Sequence, residues 1–176
     1  MYFAFFFLGA FARDVIGLPL SESINLIIVL NGLGIVGRVI PNHVADRFIG
    51  PLNTLIPFVI ITALMALSWM GVTTRGGLYA WAVVYGFVGA AIQSLFPAVL
   101  SSLTTDLRMA GTRMGMTFSI VSFAVLTGPP ISGQLIEAKH GQYHYAQIFS
   151  GCSMIIGFCL LNAAKFTKNK KFMSRV

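Results

Sequence analysis

This sequence has few charged residues, and very few acidic ones. Of its 176 residues only 5 are Asp or Glu and 12 are Lys or Arg, so charged residues make up 10% of the chain. An ordinary globular domain carries about 25%, so these charges are too few to cover a water-exposed surface. A soluble enzyme, a nucleic-acid-binding domain and a disordered tail are therefore poor interpretations. The net charge of +7 does not change this, because the basic residues lie in gaps between apolar runs.

Sequence motifs of common enzymes and nucleotide-binding proteins are missing as well. The sequence contains no HExxH, GxxxxGK[ST], GxSxG or CxxC motif, which removes the common signatures of metal-dependent, nucleotide-binding, hydrolytic and thiol chemistry. Cys152 and Cys159 lie seven residues apart on one helix face, so they cannot pair with each other. His140 and His144 are too few for a metal site. We expect no enzyme activity, no metal and no cofactor.

Long apolar runs make up most of the chain. Four of them are free of charged residues and reach the length of about 20 residues that a helix needs to cross a membrane. None shows the strict alternation of a membrane barrel, so we predict an all-α fold. The predicted spanning helices cover about residues 1–18, 23–43, 53–72, 78–100, 114–136 and 145–164, and a basic tail follows at 165–176.

The distribution of basic residues predicts the orientation. With six spans both termini lie on one side of the membrane, and that side receives nine of the Lys and Arg residues while the other receives three. The positive-inside rule then places both termini in the cytoplasm, where the tail 165–176 also faces anionic lipid. Met1 opens directly into an apolar run without polar residues before it. We interpret this as a start inside a helix of a longer chain.

Arg38 falls inside the second predicted helix, about two turns from its cytoplasmic end. An arginine at the centre of a bilayer costs about 2.5–3.5 kcal/mol on insertion scales, so it faces protein or water, or reaches the interface. Two interpretations stay open: a receptor that offers a planar fork to a carboxylate, or an anchor paired with Asp46. Gly32, Gly34 and Gly37 just before it allow close helix packing or leave room beside a cavity.

Three uncharged polar residues are further candidates for the lining of a cavity. Tyr85 and Gln93 are eight residues apart on one face of the fourth predicted helix, and Asn31 lies seven residues before Arg38 on the same face. Each either lines a cavity or forms hydrogen bonds that hold helices together.

Two further segments are candidates for conformational change. Gly128, Pro129 and Pro130 predict a bend in the fifth helix, either static or part of a moving element. The predicted cytoplasmic loops carry charged residues that we expect to form a solvated ion-pair cluster, namely Asp46, Arg47, Asp106, Arg108 and Arg113.

These segments resemble the C-terminal half of a major facilitator superfamily transporter, and more narrowly the fungal monocarboxylate-transporter-like permeases. The segment 37–53, the pair Asp46-Arg47 and the segment 128–135 carry the resemblance. It implies a half-bundle of six transmembrane helices, corresponding to helices seven to twelve of twelve. It also implies that Arg38 binds the carboxylate of a substrate. Gly34 stands where the mammalian carriers of this family have an aspartate, so a carboxylate partner of the arginine is missing here.

The resemblance implies transport of a small organic solute, a monocarboxylate in particular, by alternating access at the plasma membrane. The partners it implies are the lipid bilayer, the solute, and a second half-bundle that is either a missing N-terminal half or a second copy of this chain. A non-transporting six-helix remnant or assembly partner is the alternative. A membrane-embedded enzyme would need His, Asp or Ser clusters at membrane depth, which the sequence does not offer.

Overall fold

The computed structural model describes residues 2–104, 107–139 and 141–168, and within these ranges the chain is helical with no β-strand, which confirms the all-α fold. A π-helical turn, Ala45–Ile49, continues the second helix, and a 3₁₀ turn, Trp69–Gly71, follows the third. The α-helices are α1 Tyr2–Asp14, α2 Leu20–Val44, α3 Pro51–Ser68, α4 Arg75–Ser102, α5 Ala110–Ala138 and α6 His144–Lys168.

In the described part of the chain, five helices are long and apolar enough to cross a membrane. They are α2 with its π turn, α3 with its 3₁₀ turn, α4, α5 and α6. α1 has 13 residues and ends at Asp14, four residues before the predicted end. The reason is local, since Gly17 adopts a φ of 75° and Pro19 follows it, and both are typical of a helix terminus.

The predicted tail begins too early in the sequence. α6 continues to Lys168, and Lys165 is buried within its last turn rather than exposed in a tail. Residues 169–176 lie outside the described residues. α4 begins at Arg75, three residues before its predicted start, because Thr74 caps it: the Thr74 hydroxyl accepts a hydrogen bond from the Gly77 amide at 3.2 Å.

The contact between α2 and α4 is a close approach of two backbones. A Cβ atom added at Gly37 would overlap the carbonyl oxygen of Phe87, and one added at Gly86 would overlap the carbonyl oxygen of Leu30. Between these points a Cβ at Gly34 would lie 3.3 Å from the Cβ of Ala90. Small residues thus remove side-chain bulk along the whole contact, which is the way membrane helices gain packing energy without a hydrophobic driving force.

Aromatic side chains form the core at one end of the bundle. The Trp81 ring stacks between Trp69 and Tyr85, with both ring centroids 4.5 Å away. Phe11 packs edge-on against Trp69 and against Tyr143. All five rings are buried, so this end of the bundle is held together by a continuous aromatic cluster.

Polar contacts close the surface of the same end. The Tyr143 hydroxyl donates a hydrogen bond of 2.6 Å to the Asp14 carboxylate, and Arg75 forms an ion pair of 2.9 Å with Glu22. Burial, and next the hydrogen bond to Asp14, raise the pKa of Tyr143. The first contact joins α1 to the segment before α6, and the second joins α2 to α4.

We predict that Gly37→Ala destabilises the bundle, because the new methyl group can be accommodated only by moving α2 away from α4. Overpacking of this kind typically costs about 1–3 kcal/mol. Thermal unfolding of the detergent-purified protein, followed by tryptophan fluorescence, should show a clearly lowered midpoint.

Gly32→Ala is the matched control, since a Cβ at Gly32 meets nothing within 4 Å. Equal midpoints for the two variants would contradict the close α2–α4 contact.

Candidate functional site

Arg38 lies in the interior of the span that α2 forms with its π turn. It precedes Ile49, the last residue of the π turn, by 11 positions, or about 16 Å of helix. This is about three turns, one more than the sequence suggested. Arg38 also follows Leu20, the first residue of the span, by 18 positions, or about 27 Å of helix, so its backbone lies in the interior of the span. Its side chain is exposed on the surface of the bundle.

The guanidinium group of Arg38 forms a hydrogen bond with α4. Its Nη2 donates a hydrogen bond of 3.0 Å to Oε1 of Gln93. The anchor interpretation gave Arg38 a partner in Asp46, which lies eight residues further along the same helix, or about 12 Å along its axis. The hydrogen bond to Gln93 instead brings together two candidates on different helices. It follows from the α2–α4 contact, since Gly37 immediately precedes Arg38.

Gln93 forms the hydrogen bond with Arg38 and also lines an apolar groove. The groove has a volume of about 440 Å³ and runs between α1, α4 and α5. Phe96 and Phe118 form part of its wall and are in edge-on contact at 6.0 Å. None of the described residues that line it is charged. They are Tyr2, Ile92, Gln93, Phe96, Phe118 and Val121.

The other two lining candidates lie in different surroundings. Asn31 is exposed on α2, and its amide donates a hydrogen bond of 2.8 Å to the carbonyl of Ile27 within the same helix. Tyr85 is fully buried in the aromatic cluster and stacks on Trp81. A residue with no exposed surface does not line a cavity of this half-bundle, so the structure corrects the placement of Tyr85, and we leave it out of the site. The stacking with Trp81 explains why an aromatic residue stands there.

The charged segment after α2 is helical rather than a loop. Asp46 and Arg47 lie in the π turn, which closes with a 2.9 Å hydrogen bond from the Gly50 amide to the Ala45 carbonyl. Gly50 adopts a φ of 91°, a conformation that suits glycine, and α3 starts at the next residue. The expected loop is therefore replaced by a single-residue corner. Single π turns are common at functional sites.

The remaining candidates lie in the second charged segment and in α5. Arg108 lies in a 3₁₀ turn and Arg113 in the first turn of α5, both exposed, while Asp106 lies outside the described residues. α5 stays α-helical through Pro129 and Pro130. Gly128 and Pro129 line a second groove of about 360 Å³ between α1, α5 and α6. The bend and the ion-pair cluster stay predictions.

Sequence reasoning missed the aromatic wall of the groove. Tyr2, Phe96 and Phe118 come from three different helices, and the sequence holds 15 phenylalanines among long apolar runs. No local signal separates a phenylalanine that lines a groove from one that packs in a core. Only the arrangement of α1, α4 and α5 brings these three together.

Comparisons with known proteins agree with this architecture. The chain is 45% identical over 172 residues, 97% of its length, to an MFS-type transporter of Gibberella zeae. It is 34% identical over 92% of its length to the aspyridones efflux protein of Emericella nidulans, and 31% identical over 88% to an MFS-type transporter of Gibberella moniliformis. The chain covers only 39%, 32% and 38% of these relatives. No family model matches it.

Similarity over most of the chain to proteins named MFS-type transporters supports membership in the major facilitator superfamily. The five long apolar helices support a multi-pass membrane protein within a lipid bilayer.

We predict that the face of α2 that carries Asn31 and Arg38 borders water in the membrane-embedded protein. A single cysteine at Asn31 should therefore react with a membrane-impermeant, cationic thiol reagent at least tenfold faster than a cysteine at Val36. Val36 is also exposed, but it lies about 160° around the helix from Arg38. The measurement uses the protein in its native membrane, with Cys152 and Cys159 of this chain replaced by alanine.

Both native cysteines are free and exposed, which is why they must be removed first. Equal rates at the two positions would mean that the Arg38 face does not border an aqueous cavity.

Proposed function

We propose that this chain is the C-terminal half of a secondary transporter that carries a small organic solute, a monocarboxylate in particular, by alternating access. In this proposal Arg38 binds the carboxylate group. The observation that supports it is the exposed guanidinium of Arg38 within a candidate membrane span, held against the neutral amide of Gln93. A neutral partner positions the guanidinium without cancelling its charge.

The geometry of the pair suits a ligand with one carboxylate. A guanidinium has five N–H donors in a fixed fork, and the hydrogen bond to Gln93 uses one of them. The opposite edge of the fork is then suited to a bidentate contact with a carboxylate. Since the described lining of the adjacent groove is uncharged, the rest of the ligand would be apolar.

The relatives support a transport function and a longer polypeptide. All three described above are named as transporters or efflux proteins, and the chain covers less than two fifths of each. In this architecture the solute binds between two halves. The second half-bundle would come from the remainder of a longer polypeptide or from a second copy of this chain. The positive-inside rule favours cytoplasmic termini, and the resemblance favours the plasma membrane.

We predict that Arg38→Lys in the full-length protein lowers transport at least tenfold and leaves its abundance in the membrane near normal. Lysine keeps the charge but loses the planar fork, so a bidentate contact is no longer possible. Uptake of radiolabelled lactate and benzoate by cells that express the protein measures the effect, normalised to protein at the surface.

Lys139→Gln is the control, because Lys139 is exposed and lies outside the groove. Reduced abundance with unchanged transport per molecule would favour a structural role for Arg38. No uptake of either acid by the wild type would exclude these monocarboxylates as substrates.

We also predict the size of the native polypeptide. An antibody against residues 165–176, used on source membranes, should detect a band of at least twice the 19.0 kDa of this chain. A complete carrier needs two half-bundles. A band at 19 kDa would contradict the longer polypeptide, and would leave a dimer of this chain or the non-transporting alternative.

A further inference from the structure

Three buried polar groups have no hydrogen-bond partner among the described residues. They are the indole Nε1 of Trp69, the side-chain amide of Gln147 and the hydroxyl of Ser150. Trp69 and Gln147 have no exposed surface, and Ser150 is only 6% exposed. Buried polar groups in native proteins are paired, with protein or with ordered water, in the great majority of cases. These three groups therefore need a partner that the described residues do not supply.

Gln147 lies on the face of α6 that packs against the end of α3. One turn later on this face, a Cβ atom at Gly151 would overlap a side chain in the last turn of α3. One turn earlier, Tyr143 packs on Phe11, which also packs on Trp69. The 3₁₀ turn that begins at Trp69 is itself in contact with α6. Gln147 thus lies between two contacts that both lead to the surroundings of Trp69.

Ser150 connects these surroundings with the groove of about 360 Å³ between α1, α5 and α6. It follows Gln147 by three residues and lines this groove together with Phe3. The Phe3 ring in turn contacts Trp69, with the two ring centroids 5.4 Å apart. A small molecule can therefore approach the three unpaired groups from the groove without opening the aromatic cluster.

The three groups differ in what they ask of a partner. The indole of Trp69 only donates a hydrogen bond, whereas the amide of Gln147 and the hydroxyl of Ser150 both donate and accept. An anion could accept from Trp69 but could not donate to the amide oxygen, and a metal cation could not accept from Trp69. A water molecule does both, and a buried one typically forms about three hydrogen bonds.

We propose that these groups bind buried water. At least one water molecule accepts a hydrogen bond from Nε1 of Trp69 and donates one to Oε1 of Gln147, with Ser150 as a further partner on the side of the groove. The bridge attaches α6 to the turn that follows α3. It does not involve Arg38 or Gln93, so it does not depend on what the protein transports.

Trp69 and Trp81 form a matched pair for the test. Both rings are buried and stack 4.5 Å apart, but Nε1 of Trp81 already donates a hydrogen bond of 2.8 Å to the carbonyl of Met65. The detergent-purified protein is labelled with ¹⁵N at the tryptophan indoles, and Trp69→Phe and Trp81→Phe assign the two signals. The nuclear Overhauser effect between water and the indole proton should be at least fivefold stronger at Trp69.

Single variants then test the other two groups. Gln147→Leu removes the amide and should weaken the water signal of Trp69 at least fivefold. Ser150→Ala should retain at least half of it, because Trp69 and Gln147 still hold the bridging molecule. Thr62→Val is the control and should leave the signal unchanged, since Thr62 is also fully buried but its hydroxyl donates a hydrogen bond of 2.8 Å within α3.

Three results would overturn the proposal. The first is an equal water signal at Trp69 and Trp81 in the wild type, a comparison that stands even if Gln147→Leu does not fold. The second is an unchanged signal at Trp69 in folded Gln147→Leu. The third is loss of the signal in Ser150→Ala, which would assign it to the serine hydroxyl rather than to water. None of these results bears on transport by the Arg38 site.

Discussion

The close approach of α2 and α4 determines where the functional candidates lie. Gly37 and Gly86 bring the two backbones together at points where any side chain would overlap a carbonyl group of the neighbouring helix. Membrane helices lack a hydrophobic driving force for association, so close van der Waals contact of this kind replaces it. Arg38 directly follows Gly37, and this places its guanidinium within hydrogen-bond reach of Gln93. Larger residues at the two glycine positions would move α2 away from α4 and would separate Arg38 from Gln93.

The two ends of the bundle are built differently. One end has a core of stacked aromatic rings and is closed by the Tyr143–Asp14 hydrogen bond and the Arg75–Glu22 ion pair. The other has a smaller aliphatic core around Leu55 and Leu95, beside the groove that Lys165 lines. Phe96 borders this groove as well as the groove at Gln93. The two grooves therefore share one side chain.

Much of this architecture could be predicted from the sequence, because the lack of charge over long runs leaves helices as the economical structure in lipid. Arg38 and Gln93 could be selected because a polar group at membrane depth is costly. Their contact could not be predicted, since it spans 55 residues and depends on how two helices cross. Tyr85 illustrates the limit of helical periodicity, which placed it on the face of Gln93 but could not reveal the stacking with Trp81 that buries it. Lys165 illustrates a second limit. It directly follows the last apolar run and so looks like the start of a tail, and only the packing of α6 shows that it is buried.

The charge at Arg38 is the strongest link between this structure and a transport function. Its observed partner is an amide, and the residue one helical turn before it, Gly34, carries no charge. The positive charge is therefore oriented but not neutralised by this contact, and burying such a charge in hydrocarbon is expensive. Water in a cavity or an anionic ligand would stabilise the guanidinium at this depth. Both are provided by a carrier in which a second half-bundle faces this one and encloses an aqueous path. A face that only contacted lipid would provide neither, so the arrangement of Arg38 and Gln93 favours an interior position between two halves.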